Sequence, residues 1–196
     1  MVHKTSIILS FIQIYGLSKA FQKSNGKIIF LLDGDDFFKK NKLKVIIENY
    51  QNKKWSNFIQ DIPIYYFTKK HYEHAKELKV KKTKSTIWPH FFSTSTICVE
   101  RNYLRKCFKD LSYSSNKFNR VFFDARICIY TYFKNNEIKV IKKNLTYYRQ
   151  NIVGDTSLNK YNTVLSKNWW RRRLDYHNFI KKFCMKYKLD YKSGLD

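Results

Sequence analysis

Hydrophobic positions along the chain gather either into short unbroken runs or into stripes with helical spacing. Ile28 to Leu32 form the clearest run. It is opened by Gly26 and closed by Asp33, Gly34, Asp35 and Asp36, and a run of this length between turn residues predicts a buried strand. Before it, residues 6–24 mix polar and apolar faces and end on Asn25-Gly26. That predicts one helix, or a strand-like lead-in followed by a helix. After the turn, Leu43, Ile46, Ile47 and Tyr50 fall at i, i+3, i+4 and i+7, an amphipathic helix over 42–50. Phe58 to Phe67 predicts extended chain broken at Pro63, and residues 68–86, rich in Lys and without apolar rhythm, a mobile basic loop. Trp88 to Val99 returns to apolar and hydroxyl residues, with four hydroxyls in a row from Ser93 to Thr96. A short helix follows over 102–108, then a polar loop over 109–120. A helix opening near Asp124 comes next, with Ile127, Tyr130 and Phe133 facing inward. Asn135-Asn136 predicts a turn, and Ile138 to Ile141 and Leu145 to Tyr148 two strands. The final helix, 168–188, carries Trp169, Tyr176, Ile180, Phe183 and Tyr187 on one stripe.

Composition narrows the class. A chain of 196 residues is long enough for one domain with a real core, and 43% hydrophobic with 18% aromatic residues excludes a disordered basic tail. The net charge of +24 either invites nucleic acid, anionic lipid or phosphate-bearing partners or reflects a compositional bias toward Lys, Asn, Ile, Phe and Tyr with lysines solvating the surface. Cys98, Cys107, Cys128 and Cys184 form no C-x-x-C pair and no Cys/His cluster, which predicts buried free thiols and no zinc site. The apolar stretch Ile7 to Tyr15 is too short to span a bilayer and lacks a cleavage pattern, so the expected place is the cytoplasm. The basic, aromatic last helix either packs its stripe on the domain or lies on the inner face of an anionic membrane as a peripheral contact.

The chemistry concentrates at Asp33, Asp35 and Asp36. Three of only 15 acids lie within four positions, and like charges this close repel. A divalent cation is the simple counter-charge, since hard cations take one or two carboxylates plus substrate phosphates. Gly34 would let the backbone turn between the ligands. The alternative is an acidic surface turn with Asp36 as an N-cap-like residue. Asp124, at a predicted helix start, is either a carboxylate favoured by the helix dipole or a functional acid. The four consecutive hydroxyls from Ser93 to Thr96 are either β-branched strand filler or groups that hydrogen-bond a ligand's hydroxyls.

Four segments, taken in order, carry a resemblance: Gly26 to Leu43 (GKIIFLLDGDDFFKKNKL), Ser93-Thr94-Ser95-Thr96-Ile97, Phe122-Phe123-Asp124, and Leu145-Thr146-Tyr147-Tyr148-Arg149. Together, over roughly 14–157, they resemble family 2 glycosyltransferases with a GT-A fold. The resemblance implies an α/β, Rossmann-like mixed sheet flanked by helices over 1–160, and a basic aromatic helical tail over 161–196. The family's first nucleotide-base-binding unit is not found ahead of the acidic strand, so the domain is expected to be amino-terminally truncated. The implied activity moves a sugar from a nucleotide-diphosphate sugar, a UDP-sugar, to a glycan or lipid-linked acceptor of cell-envelope polysaccharide, by metal-assisted inverting displacement. Asp33 would lie near the ribose or uracil and Asp35 on Mn²⁺ or Mg²⁺, with Asp33 as its second ligand. Asp36 and Arg149 would complete the donor site, Thr94 and Ser95 would face the acceptor, and Asp124 would be the general base. The chain departs from the family at Phe123, where an acid usually stands, and at Gln150, where His is usual.

Three other readings compete. An inactive remnant of the same fold keeps the scaffold without the reaction. A phosphatase of the haloacid-dehalogenase type would use Asp33 as nucleophile and Gly154-Asp155 as its later motif, but Phe37 and Asn159 depart from that pattern. A basic nucleic-acid module fits the charge, but no nucleic-acid motif is present and no specific nucleic acid is expected.

Overall fold

The computed structural model describes residues 3–52, 56–68, 71–75, 91–111, 118, 120–135, 138–150 and 167–189. In chain order the elements are α1 (His3–Lys23), β1 (Ile28–Phe30), β2 (Phe37–Phe38), α2 (Lys42–Gln51), β3 (Phe58–Thr68) and β4 (His71–His74). A 3-10 turn (Thr94–Thr96) then leads into β5 (Ile97–Glu100), α3 (Arg101–Leu111), α4 (Phe123–Asn135), β6 (Lys139–Arg149) and α5 (Lys167–Tyr187). The strands make one mixed sheet in the order β1-β5-β3-β6-β2, with β4 paired to the far half of β3. Only β3 and β6 run parallel. This is the α/β mixed sheet flanked by helices that the sequence leads one to expect.

Alternation along the strands sorts side chains onto two faces. Ile97 and Val99 of β5 join a large core with Phe58, Tyr103, Leu104, Ile127, Cys128, Phe179 and Phe183. Cys98, between them, joins a smaller core with Val45, Ile46, Ile59, Ile141 and Leu145. So α3, α4 and α5 cover one face and α2 the other. α5 is part of the main core: Tyr176, Phe179, Ile180, Phe183 and Cys184 are all buried. The predicted stripe is spent on the domain core. No described helix is long and apolar enough to cross a membrane. All four cysteines are buried free thiols, as expected.

Several elements differ from expectation, each for a physical reason. The strand at Ile28 is three residues long, half-buried and at the sheet edge; the buried residue is Leu31 beyond it, and Leu32 is half exposed. The predicted apolar stripe of α2 is displaced: Leu43 and Ile47 face out, while Lys42, Val45 and Ile46 are buried. The cause is Lys42, drawn inward by Asp61 at 2.7 Å. β3 runs through Pro63 without a break, because the missing N–H falls where the pairing with β6 shifts register. The two strands expected over 138–148 are one, irregular opposite Asp61 to Pro63. Part of the basic stretch forms β4, and α3 continues to Leu111. The rest of that stretch, the Ser/Asn run at 112–117, and Gly154, Asp155 and Asn159 lie outside the described residues.

Two packing details position the site. Arg101 donates to the Ser24 hydroxyl (2.8 Å) and the Phe21 carbonyl (3.3 Å), tying the end of α1 to α3. Gln13 on α1 then accepts the Phe123 N–H at 3.0 Å, using one of the donors that a helix start leaves unpaired. The first turn of α4, which carries Asp124, is thus held by α1.

Candidate active site

The acidic turn leaves the sheet edge where Leu31 N–H bonds the Ile97 carbonyl at 3.1 Å, and it closes with Asp36 N–H on the Asp33 carbonyl at 3.2 Å. Gly34 is not forced by this geometry: an added Cβ would meet nothing within 4 Å, and the residue is not in the left-handed region. The four-hydroxyl segment is not a strand. It is a tight 3-10 turn directly under the acids, with Thr94, Ser95 and Thr96 all buried. The Ser95 hydroxyl accepts the Asp33 N–H at 2.9 Å and also bonds the Asp36 carboxylate. Thr94 bonds both Asp33 and Asp124. Asp36 Oδ1 accepts the Arg149 N–H at 2.8 Å, and its Oδ2 is buried without a hydrogen-bond partner among the described residues.

Underneath lies a wholly buried ion pair. Lys42 Nζ meets Asp61 Oδ1 at 2.7 Å, and both side chains are 0% exposed. Lys42 also donates to the Ser95 carbonyl (2.8 Å) and the Thr146 hydroxyl (2.6 Å), and sits 4.1 Å from the centre of the Phe38 ring. Asp61 accepts the Leu145 N–H at 3.1 Å, where the irregular β3–β6 ladder leaves that donor free. Burial raises the Asp61 carboxyl, and the Lys42 charge opposes it. Breaking such a pair leaves a buried charge uncompensated, at a cost of about 3–5 kcal/mol. The pair therefore fixes Ser95, and Ser95 fixes Asp33 and Asp36.

Asp124 faces these acids from the first turn of α4. Its Oδ1 accepts the Ala125 N–H at 2.7 Å, using one of the donors that the first turn of α4 leaves unpaired. It also lines a cavity of about 580 Å³ whose wall includes Tyr65, Phe91, Phe92, His74, Glu73 and Tyr148. Burial raises the Asp124 carboxyl, with the Ala125 amide and Arg172 opposing. Asp33 is pushed up to about 6, by burial first and by the Asp124 charge second. Burial also raises Asp36. Tyr148 lies among all four acids: burial, then Asp36, Asp33, Asp124 and Asp35, push its hydroxyl up.

The structure places Asp33, Asp36 and Asp124 within electrostatic reach of one another, with Thr94 interacting with both Asp33 and Asp124, while Asp35 is exposed on the same turn. Ser95 supports them from below, wholly buried. Arg149 enters by its backbone, and its side chain is exposed. β-strand alternation explains this: Thr146 and Tyr148 face the acids, so Tyr147 and Arg149 point the other way, where Tyr147 stacks on Phe37 at 4.5 Å. Tyr148, Lys42, Asp61 and Arg172 were missed. A lone acid inside the apolar run of β3 was a signal that a buried cation must meet it. Arg172 shares a helical face with Tyr176, which the stripe already marked.

Among the described residues no three His, Cys, Asp or Glu side chains converge to hold a metal unaided. The donors nonetheless fit a cation held by one or two carboxylates and completed by a ligand's phosphates. Asp36 keeps an orphaned buried oxygen, and Asp33 carries a raised carboxyl that a cation would relieve.

A mixed α/β sheet with helices on both faces and carboxylates gathered beside a cavity defines the class as an α/β domain with a ligand-sized cleft. The Glycosyl transferase family 2 model matches residues 13–112, and the chain belongs to that family. Among solved structures, S. aureus TarS 1-349 in complex with UDP-GlcNAc is similar, at 12% identity with a TM-score of 0.45; the match covers 85% of this chain and 51% of that one. The same protein in complex with UDP gives 12% identity and a TM-score of 0.44, over 85% and 50%. The chain spans about half the length of these structures. No curated protein matches the sequence.

Proposed function

We propose that this domain transfers a sugar from a nucleotide-diphosphate sugar to a hydroxyl of a glycan or lipid-linked acceptor, with inversion at the anomeric carbon. One observation carries the reading: Asp124 lines the cavity while sharing Thr94 and electrostatic coupling with Asp33 of the acidic turn. An acceptor hydroxyl entering the cavity meets Asp124, which takes its proton as the oxygen attacks the anomeric carbon. The bond to the diphosphate breaks on the opposite side. A carboxyl raised by burial suits this work, because a base with a pKa nearer neutrality transfers protons more effectively than an ordinary carboxylate.

Asp33 and Asp35 would hold Mn²⁺ or Mg²⁺ together with the donor's phosphates. That ion supplies Lewis-acid neutralisation of charge on the departing diphosphate. Asp36, fixed by the Arg149 amide and Ser95, keeps the turn in shape. Tyr65, Phe91 and Tyr148 line the cavity where the acceptor sugar would pack. The test is UDP binding with and without Mn²⁺. Wild type is expected to bind UDP more tightly with the metal, and Asp35→Ala to lose that increment. Equal, metal-independent binding by both proteins contradicts this use of the acidic turn.

A further inference from the structure

We propose that Arg172, carried in on α5, is a phosphate-binding residue of this site and receives the donor's diphosphate. This rests on the glycosyl-transfer reading and adds a residue to it.

Arg172 is half-buried against two rings, its Cζ 5.2 Å from the centre of Phe122 and 5.5 Å from that of Tyr176. One Nη donates to the Tyr176 hydroxyl at 3.2 Å, its single hydrogen bond among the described residues. A guanidinium has five N–H donors, so most of them meet no acceptor among the described residues. The local acid has been taken away. Asp175 lies at i+3, where a helical ion pair normally forms, yet it pairs with Arg120 at 2.7 Å. α5 carries no other acid. The result is a cation anchored on ring faces and kept from its own neighbour.

Its position gives the remaining donors a purpose. Burial works against the Arg172 charge, yet Tyr176, Asp124 and Tyr148 together hold its pKa above the ordinary value. Asp124 and Tyr148 are also the residues through which the cavity meets the acidic turn. A diphosphate reaching that turn faces Asp33, Asp35, Asp36 and Asp124. Cations must stand among these groups for an anion to bind, and a divalent ion neutralises only part of the total. The planar guanidinium fork matches phosphate oxygens in two-point contact. Because two rings hold it in place beforehand, it also favours the charge that grows on the diphosphate as the sugar leaves.

The test is titration of pyrophosphate and of UDP, each with Mn²⁺, into wild type, Arg172→Gln and Arg172→Lys. Arg172→Gln is expected to weaken both ligands by about ten- to a hundred-fold, the loss of one charged hydrogen-bonding group. Arg172→Lys, keeping charge without the fork, should fall between. Unchanged affinity in Arg172→Gln with tight binding by wild type removes Arg172 and leaves the glycosyl-transfer reading standing. Wild type that binds neither ligand overturns that reading and this proposal together. Should Arg172→Gln fail to fold, Tyr176→Phe decides, since it keeps both rings and deletes only the positioning hydroxyl. A several-fold loss supports the assignment, and no loss overturns it.

Discussion

Lys42 and Asp61 hold the site from beneath, and their energetics separate stability from function. Both are 0% exposed, so either one alone would be an uncompensated buried charge. Lys42→Met should cost about 3–5 kcal/mol in urea unfolding. Lys42→Met with Asp61→Leu should recover most of that, because apolar groups of similar volume replace buried pairs without great loss. Metal-dependent UDP binding should remain weakened in the double variant, since the Ser95 carbonyl loses its Lys42 donor. If binding returns along with stability, the pair serves the fold alone. The sequence made the acidic turn legible because acid is scarce in the chain and clustered there, and Asp124 legible through its helix-start position and the Phe122-Phe123-Asp124 motif. It did not reveal Tyr148 over Arg149, because both lie in one motif and only strand register says which side chain faces the acids.

At the level of elements, α2 and α5 make opposite points. The spacing of Leu43, Ile46, Ile47 and Tyr50 correctly predicts a helix and the burial of Ile46, but Leu43 and Ile47 face out, since one buried ion pair outweighs two apolar contacts in setting its rotation. For α5 the stripe is right, and it is the partner that the pattern leaves open, domain or membrane. The core resolves this: Phe183 is 0% exposed and touches the rings of Tyr130 at 5.8 Å and Tyr187 at 4.7 Å. Phe183→Ala should therefore destabilise the domain by about 3–5 kcal/mol. Leu43→Gln, on the outward face of α2, should change stability by no more than about 0.5 kcal/mol. Denaturant midpoints of the two variants check both values, and a dispensable α5 would leave Phe183→Ala unaffected.

For the whole molecule, a chain of net charge +24 concentrates four acids at one place, and that place strains the fold when no cation is present. Asp33 binds its proton more tightly folded, with its pKa raised from 3.8 to about 6. Its contribution to stability is therefore present below about pH 4 and is lost as pH rises through 6. Burial raises Asp36 and Asp124 in the same direction. In EDTA, wild type should lose more stability than Asp33→Asn between pH 4.5 and 6.5, measured by thermal unfolding at fixed ionic strength. Mn²⁺ should restore the difference at pH 7. Parallel curves for the two proteins would mean that Asp33 is not under this strain.

The most direct test of the central claim is the rate at which UDP is released from a UDP-sugar, with water standing in for the acceptor, by wild type and Asp124→Asn. The account predicts that Asp124→Asn lowers the rate by about a hundred-fold or more while UDP affinity in Mn²⁺ stays as in wild type. Equal rates, or a loss explained wholly by weaker UDP binding, would contradict it.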